Sequence, residues 1–350
     1  MTIRVLIVDD SPTMRALLSE LLRREADIDV IATAADAAEA RTIIREQNPD
    51  VVTLDIEMPG MNGLEFLDKV MRLRPTPVII VSGLTRAGAD ATVRALQIGA
   101  VDCYAKPDGK IGSLLTSDDG RLATLIRNAA SARLRDRSAR PIAPPVAPTP
   151  APPLLARTAH QRPALIAIGA STGGVEALHE VLQNFPADCP PTVVVQHING
   201  HFAEAVARRL DQRCAPTITT AESDQPLKPG HVYLAPGNDR HLQIRGSATS
   251  PWARMRADDK VSGHRPSVDV LFRTVAETVG NKAIGILLTG MGSDGAQGLL
   301  TMARAGATTI AQDEATCTVF GMPKAAIALG AAGLVAPLHR IADHALAGVI

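Results

Sequence analysis

Three residues of different chemistry stand just past apolar runs in one half of the chain. Ser171 lies in GASTGG (169–174), His197 closes VVVQH, and Asp294 follows LLTGMGS. GASTG fits G-x-S-x-G, the strand-to-helix turn that lifts a serine hydroxyl above a sheet for nucleophilic attack. The match alone leaves two other readings open. A glycine-rich turn before a helix also binds phosphate, and Ser171 or Thr172 also suits the cap of a helix starting near Gly173. A nucleophile needs a base and an acid that orients it. Of nine histidines, only His197 directly ends a strongly apolar run. Asp294 is the candidate acid, and the Met291 amide in the same glycine-rich turn suits a developing oxyanion. Taken singly, His197 reads as a loop residue and Asp294 as a helix cap. His197 and His201 have the spacing of helical metal ligands, but Gly200 and the preceding strand argue against that. All three residues emerge at the carboxyl ends of strands in one sheet, which raises a triad above a phosphate loop. The order Ser–His–Asp departs from α/β-hydrolases, where the acid precedes the histidine.

A second cluster lies earlier. Asp9 and Asp10 follow the first apolar run, Asp55 ends the third, Ser82 the fourth, and Lys106 the fifth. Three carboxylates that converge repel one another and invite a hard divalent cation such as Mg²⁺. A hydroxyl and an ammonium beside them suit a phosphoryl group on Asp55. One strand-end aspartate is ordinary; five such residues at four strand ends of one sheet are not.

The elements must bring these residues together. Residues 1–125 alternate strands (RVLIVDD, DVIATAA, DVVTLDI, PVIIVSG, VDCYAKP) with amphipathic helices. Ser11 and Pro12 suit the cap and first position of the first helix. This predicts a flavodoxin-like five-stranded parallel sheet in the order 2-1-3-4-5, with its ligand crevice at the carboxyl ends. Residues 126–162 read as a helical extension and a Pro/Ala-rich linker. PIAPPVAPTPAPP (141–153) has seven prolines in thirteen residues and favours extended chain. Residues 163–350 alternate again (ALIAIGA, TVVVQHI, HVYLAPG, AIGILLTG, ATTIAQD, LVAPL), predicting a larger doubly wound, mainly parallel α/β domain; 214–262 reads only as strands and loops.

Composition narrows the function classes. The chain has 350 residues, 46% apolar, with 36 basic and 36 acidic side chains. Zero net charge, one Trp, two Tyr and five Phe argue against nucleic-acid binding, and the second half has no basic recognition helix. The four scattered cysteines read as buried apolar side chains in a reducing compartment. The first apolar run is too short for a leader and no run spans a membrane, so a cytoplasmic protein with no membrane insertion is expected.

VDD, LDIEMPGMNG, VSG and AKP resemble the motifs of response-regulator receiver domains. The resemblance implies that Asp55 accepts a phosphoryl group from a histidine kinase, the chemotaxis kinase CheA. It implies that Asp9, Asp10 and Asp55 hold Mg²⁺ and that Ser82 and Lys106 sense the phosphoryl group. Asn62 stands where the family usually has Asp. IGASTGG, QHI, HVYLAPG, PSVDVLF, LTGMGSDGA and VFGMPKAA resemble, in order, the chemotaxis protein-glutamate methylesterase family. That resemblance implies Ser171 as nucleophile, His197 as base and Asp294 as its orienting acid, with Thr172 beside the nucleophile, Met291 in the oxyanion region and no cofactor for the ester chemistry. His264, Arg265 and Asp269 are candidates for lining the cleft. The implied substrates are methylated chemoreceptor cytoplasmic domains, with glutamine deamidation as a companion reaction. The competing reading is a non-enzymatic two-component signalling module whose second domain binds a phosphate or nucleotide.

Overall fold

The computed structural model describes residues 2–58, 63–83, 85–106, 118, 120–133, 162–237 and 239–347. The proline-rich segment 141–153 and Asn62 lie outside the described residues.

The first domain runs β1 (Ile3–Val8), α1 (Pro12–Arg23), β2 (Ile28–Ala34), α2 (Ala37–Gln47), β3 (Val51–Asp55), α3 (Gly63–Leu73), β4 (Val78–Ser82), α4 (Arg86–Ile98), β5 (Asp102–Ala105) and α5 (Arg121–Ala130). Its sheet is parallel in the order β2-β1-β3-β4-β5. Ser11 caps α1 by accepting from the Met14 amide, with Pro12 at the first position. The inward face of α1 buries Leu17, Leu18, Leu21 and Leu22. The boundary read at 125 falls inside α5. Leu122, Ala123, Ile126 and Ala129 pack together into one core with α1 and β1, so the helix packs on the first sheet on both sides of that position.

The second domain runs β6 (Leu165–Ala170), α6 (Gly174–Leu182), β7 (Thr192–Gln196), α7 (Gly200–Asp211), β8 (Thr217–Thr220), β9 (Gln225–Pro226), β10 (His231–Leu234), β11 (His241–Ser247), β12 (Ser250–Arg256), α8 (Val268–Thr278), β13 (Ala283–Leu287), α9 (Ala296–Arg304), β14 (Thr308–Gln312), α10 (Met322–Ala328), β15 (Leu334–Ala336) and α11 (Leu338–Leu346). Seven strands form a parallel sheet in the order β15-β14-β13-β6-β7-β10-β8, and β11-β12-β9 form a small antiparallel sheet. The central strands β6, β7 and β13 are buried at every position, as a sheet covered on both faces requires. The chain leaves β6 toward β7 and later returns on its other side as β13. The strand order therefore reverses at β6, the position where such sheets open a crevice at their carboxyl ends.

The two domains share a seam. α4 packs on α7 and α6, and one set of buried apolar side chains continues from the first core into the second. No helix among the described residues is long and apolar enough to cross a membrane.

Candidate active site

Ser171, His197 and Asp294 follow the adjacent strands β6, β7 and β13, and the first two line one cleft of about 1160 Å³. The turn after β6 is tight. An added Cβ at Gly174 would stand 2.0 Å from Gln196 Oε1 and 2.8 Å from Ala170 Cβ, so a side chain there would force a shift. The bonding of this turn bears on its readings. Gly174 N–H donates to Ser171 O, and Gly173 N–H donates to Val101 O of the first domain. Those amides are spent on carbonyls and not aimed at an anion. Gly173 is the N-cap of α6 with no side-chain bond, so neither Ser171 nor Thr172 caps the helix.

His197 is held from one side. Its Nε2 lies 2.8 Å from Asp294 Oδ2. Asp294 also accepts from Ser267 Oγ (2.7 Å), Val268 N (2.8 Å) and Asp269 N (3.1 Å). The carboxylate thus sits on the N-terminus of α8, where free amides and the helix dipole favour negative charge. Burial would raise its pKa, but the His197 bond and charge and the bonds from Ser267 and Val268 outweigh burial and hold it below the ordinary value. An ionised carboxylate accepts only, so His197 carries its proton on Nε2. Nδ1 then presents a lone pair, and it is buried with no hydrogen-bond partner. The helix-cap reading of Asp294 is corrected in its detail: Gly295 is the N-cap of its own helix α9, and Asp294 serves α8 instead.

Thr172 follows Ser171, but its hydroxyl points across the seam, donating to Asp102 Oδ2 at 2.9 Å. The Thr172 and Met291 amides donate to no protein acceptor among the described residues, and Met291 is 42% exposed at the turn. His264 and Arg265 line the cleft; Asp269 does not, and accepts instead from Gly298 N and Ser262 Oγ.

Three residues escaped the sequence reading. Gln196 Nε2 donates to the carbonyls of Ser171 (2.8 Å) and His197 (3.2 Å), bracing both turns. Ser267, the N-cap of α8, binds Asp294. Asp102 belongs to β5 of the other domain. Ser267 carries a helix-cap signal in PSVD, and Gln196 adjoins His197 at its strand end; nothing local marks Asp102.

In the first domain, Lys106 Nζ lies 2.9 Å from Asp9 Oδ2 and 2.7 Å from Asp55 Oδ2. One oxygen each from Asp9, Asp10 and Asp55 lies within 4.8 Å of the others. All-oxygen donors of this charge suit Mg²⁺ with waters completing its shell. Burial pushes the Asp9 carboxyl up against the pull of Lys106. Burial also opposes the Lys106 charge, but Asp55 and Asp9 outweigh it and hold the ammonium above its ordinary value. Ser82 is buried at the end of β4, where its hydroxyl donates to the Gly88 carbonyl at 3.3 Å.

Residues 166–345 match the CheB methylesterase family, and residues 5–115 match the response regulator receiver domain. A protein-glutamate methylesterase/protein-glutamine glutaminase of Agrobacterium fabrum is 51% identical over 98% of this chain and 95% of its own length. The chain belongs to the CheB methylesterase family. A protein of Caulobacter vibrioides, named protein-glutamate methylesterase/protein-glutamine glutaminase 1, is 52% identical over 94% of this chain and 93% of its own. The CheB methylesterase catalytic domain of Thermotoga maritima, a crystal structure, is 38% identical with a TM-score of 0.51, covering 52% of this chain and 97% of that one. Membership makes the chain a methylesterase regulated through a receiver domain.

Proposed function

We propose that the chain hydrolyses glutamyl methyl esters on the cytoplasmic helices of chemoreceptors, and deamidates glutamines there by the same steps. Ser171 Oγ attacks the ester carbonyl carbon while its proton passes to His197 Nδ1. The negative oxygen of the tetrahedral intermediate takes hydrogen bonds from the Thr172 and Met291 amides. The C–O bond to the methoxy group breaks, and methanol leaves with the proton from His197. Water then attacks the acyl-serine with His197 again as base, releasing the glutamate carboxylate and restoring Ser171. Asp294 orients His197 and stabilises the imidazolium formed in each half. For glutamine, ammonia replaces methanol as the leaving group.

In the receiver, Asp55 accepts a phosphoryl group from the chemotaxis histidine kinase. Asp9, Asp10 and Asp55 would hold a Mg²⁺, which would supply charge neutralisation there. Ser82 and Lys106 bind the phosphoryl oxygens afterwards.

The observation that carries this reading is the buried His197–Asp294 pair with Nδ1 unbonded, on the strand next to that of Ser171. The test is methanol release from a methylated receptor cytoplasmic fragment, with and without a small phosphodonor plus Mg²⁺. Release that rises with phosphodonor and falls at least about 10³-fold in S171A is expected. Release by S171A near the wild-type rate would overturn the assignment.

A further inference from the structure

The His197 ring has a neighbour that the triad does not use. His264 lies parallel to it, with ring centroids 3.8 Å apart and planes 4° from parallel. The segment bearing His264 is firmly built. Val261 and His264 form an antiparallel bridge, exchanging backbone bonds of 3.1 and 2.9 Å. Between them Ser262 and Gly263 both have positive φ, 53° and 80°, the backbone of a two-residue hairpin turn. Ser262 Oγ donates to Asp269 Oδ2 on α8, and Arg265 Nη1 donates to the Asp258 carbonyl. The chain then enters α8, whose first amides hold Asp294. One continuous segment, 261–269, therefore supplies both the ring on the face of His197 and the cradle for its acid.

An imidazole bonded only through Nε2 keeps rotational freedom about that bond. Asp294 fixes one edge of His197 and leaves the tilt of its plane open. We propose that His264 is a positioning residue, whose stacked ring holds the His197 plane so that Nε2 stays on Asp294 and Nδ1 stays available to the Ser171 proton. Its own ring is suited to this. Burial first, and the His197 charge second, pull its pKa down to about 4, with Asp294 opposing and Lys260 adding to the shift. Near neutral pH His264 is therefore an uncharged aromatic face. When His197 becomes an imidazolium during acylation, that face attracts the cation rather than repelling it.

The inference rests on the esterase reading, so its test has one arm with substrate and one without. In the full-length chain with phosphodonor, H264A is expected to lower kcat about 10–100-fold, with KM changed less than about twofold. H264F, which keeps a flat ring, is expected to restore kcat to within about threefold of wild type. Wild-type kcat in H264A, or H264F as slow as H264A, would overturn the proposal. The second arm reads the ring nitrogens of His197 by ¹⁵N NMR without substrate. Wild type and H264F are expected to hold a single Nε2–H form, and H264A to mix tautomers. An unchanged Nε2–H form in H264A overturns the proposal even if no methanol release is found in wild type, which would instead count against the esterase reading.

Discussion

At the residue scale, the site depends on an anion held by four donors. Asp294 is buried, yet its carboxyl lies below the usual range because the bonds from His197, Ser267 and Val268 outweigh burial. A group with a depressed folded pKa contributes stability that is complete above its unfolded value and is lost as pH falls through the folded one. D294A leaves Ser267, Val268 and Asp269 donors without their acceptor and is expected to cost about 3 kcal/mol at neutral pH. The gap between wild type and variant should close as pH falls below 3.8. Urea unfolding across this range checks it, and a gap independent of pH would show Asp294 is not ionised in the fold. Activity should fall about 10⁴-fold in the same variant. That Ser171, His197 and Asp294 lie at one edge of one sheet was legible in the sequence, because Ser171 and His197 directly follow apolar strands and Asp294 lies in the turn after a third. The hydrogen bonds of Asp294 were not. They come from the start of a helix some twenty-five residues earlier, and only packing brings that helix to the acid.

At the scale of elements, the turns bearing Ser171, His197 and Met291 are tied to one another by side chains from neighbouring strands. Thr289, just past β13, is the clearest case. Its Oγ1 lies 3.0 Å from the Thr172 carbonyl and 3.2 Å from that of Val319, and it accepts from Val319 N at 2.9 Å. It thereby joins the turn bearing Ser171, the turn bearing Met291 and the loop before α10. T289V keeps the shape and removes the hydroxyl, leaving the buried Val319 amide unpaired. A loss of about 2 kcal/mol is expected, with kcat reduced more than KM because the Thr172 amide shifts. Thermal unfolding beside steady-state kinetics separates the two effects, and wild-type values in both would remove Thr289 from this role. The six apolar strand runs read in the second half all lie in the seven-stranded sheet, since a strand buried on both faces is a continuous apolar run. The edge strand β8 (TITT) and the hairpin β11–β12 carry no such run. β8 and β12 mix buried and exposed positions, and the buried half of β11 contains the polar His241 and Gln243, which is why 214–262 read only as strands and loops.

At the scale of the whole molecule, the receiver forms one wall of the esterase cleft. Thr85, Asp102 and Arg121 line it together with Ser171, His197 and His264. Contacts across the seam include Thr172 to Asp102, Gly173 N to Val101 O, Arg209 Nε to Gln97 Oε1, the Arg208–Asp90 ion pair and Arg133 with Glu314. None was legible from the sequence, because each pairs residues of separate domains by surface fit. Two of them sit within two residues of Ser171, so opening the seam changes that turn directly. A hundredfold activation by phosphorylation needs only about 2.7 kcal/mol of difference between closed and open states. A neutral buried hydrogen bond contributes about 1 kcal/mol and an exposed ion pair less, so a few of these contacts are enough. Asp102 is the most informative to remove. Burial holds its carboxyl above the ordinary value, so its place in the seam depends on the Thr172 hydroxyl and the Cys103 amide as donors. D102A is expected to raise methanol release by the unphosphorylated chain about fivefold, the factor that roughly 1 kcal/mol allows. A truncated chain beginning at Arg162 should go further, matching the phosphorylated full-length protein without any phosphodonor. If that truncated chain is folded, as circular dichroism can report, and is as slow as the resting full-length protein, the receiver does not restrain the site by covering it.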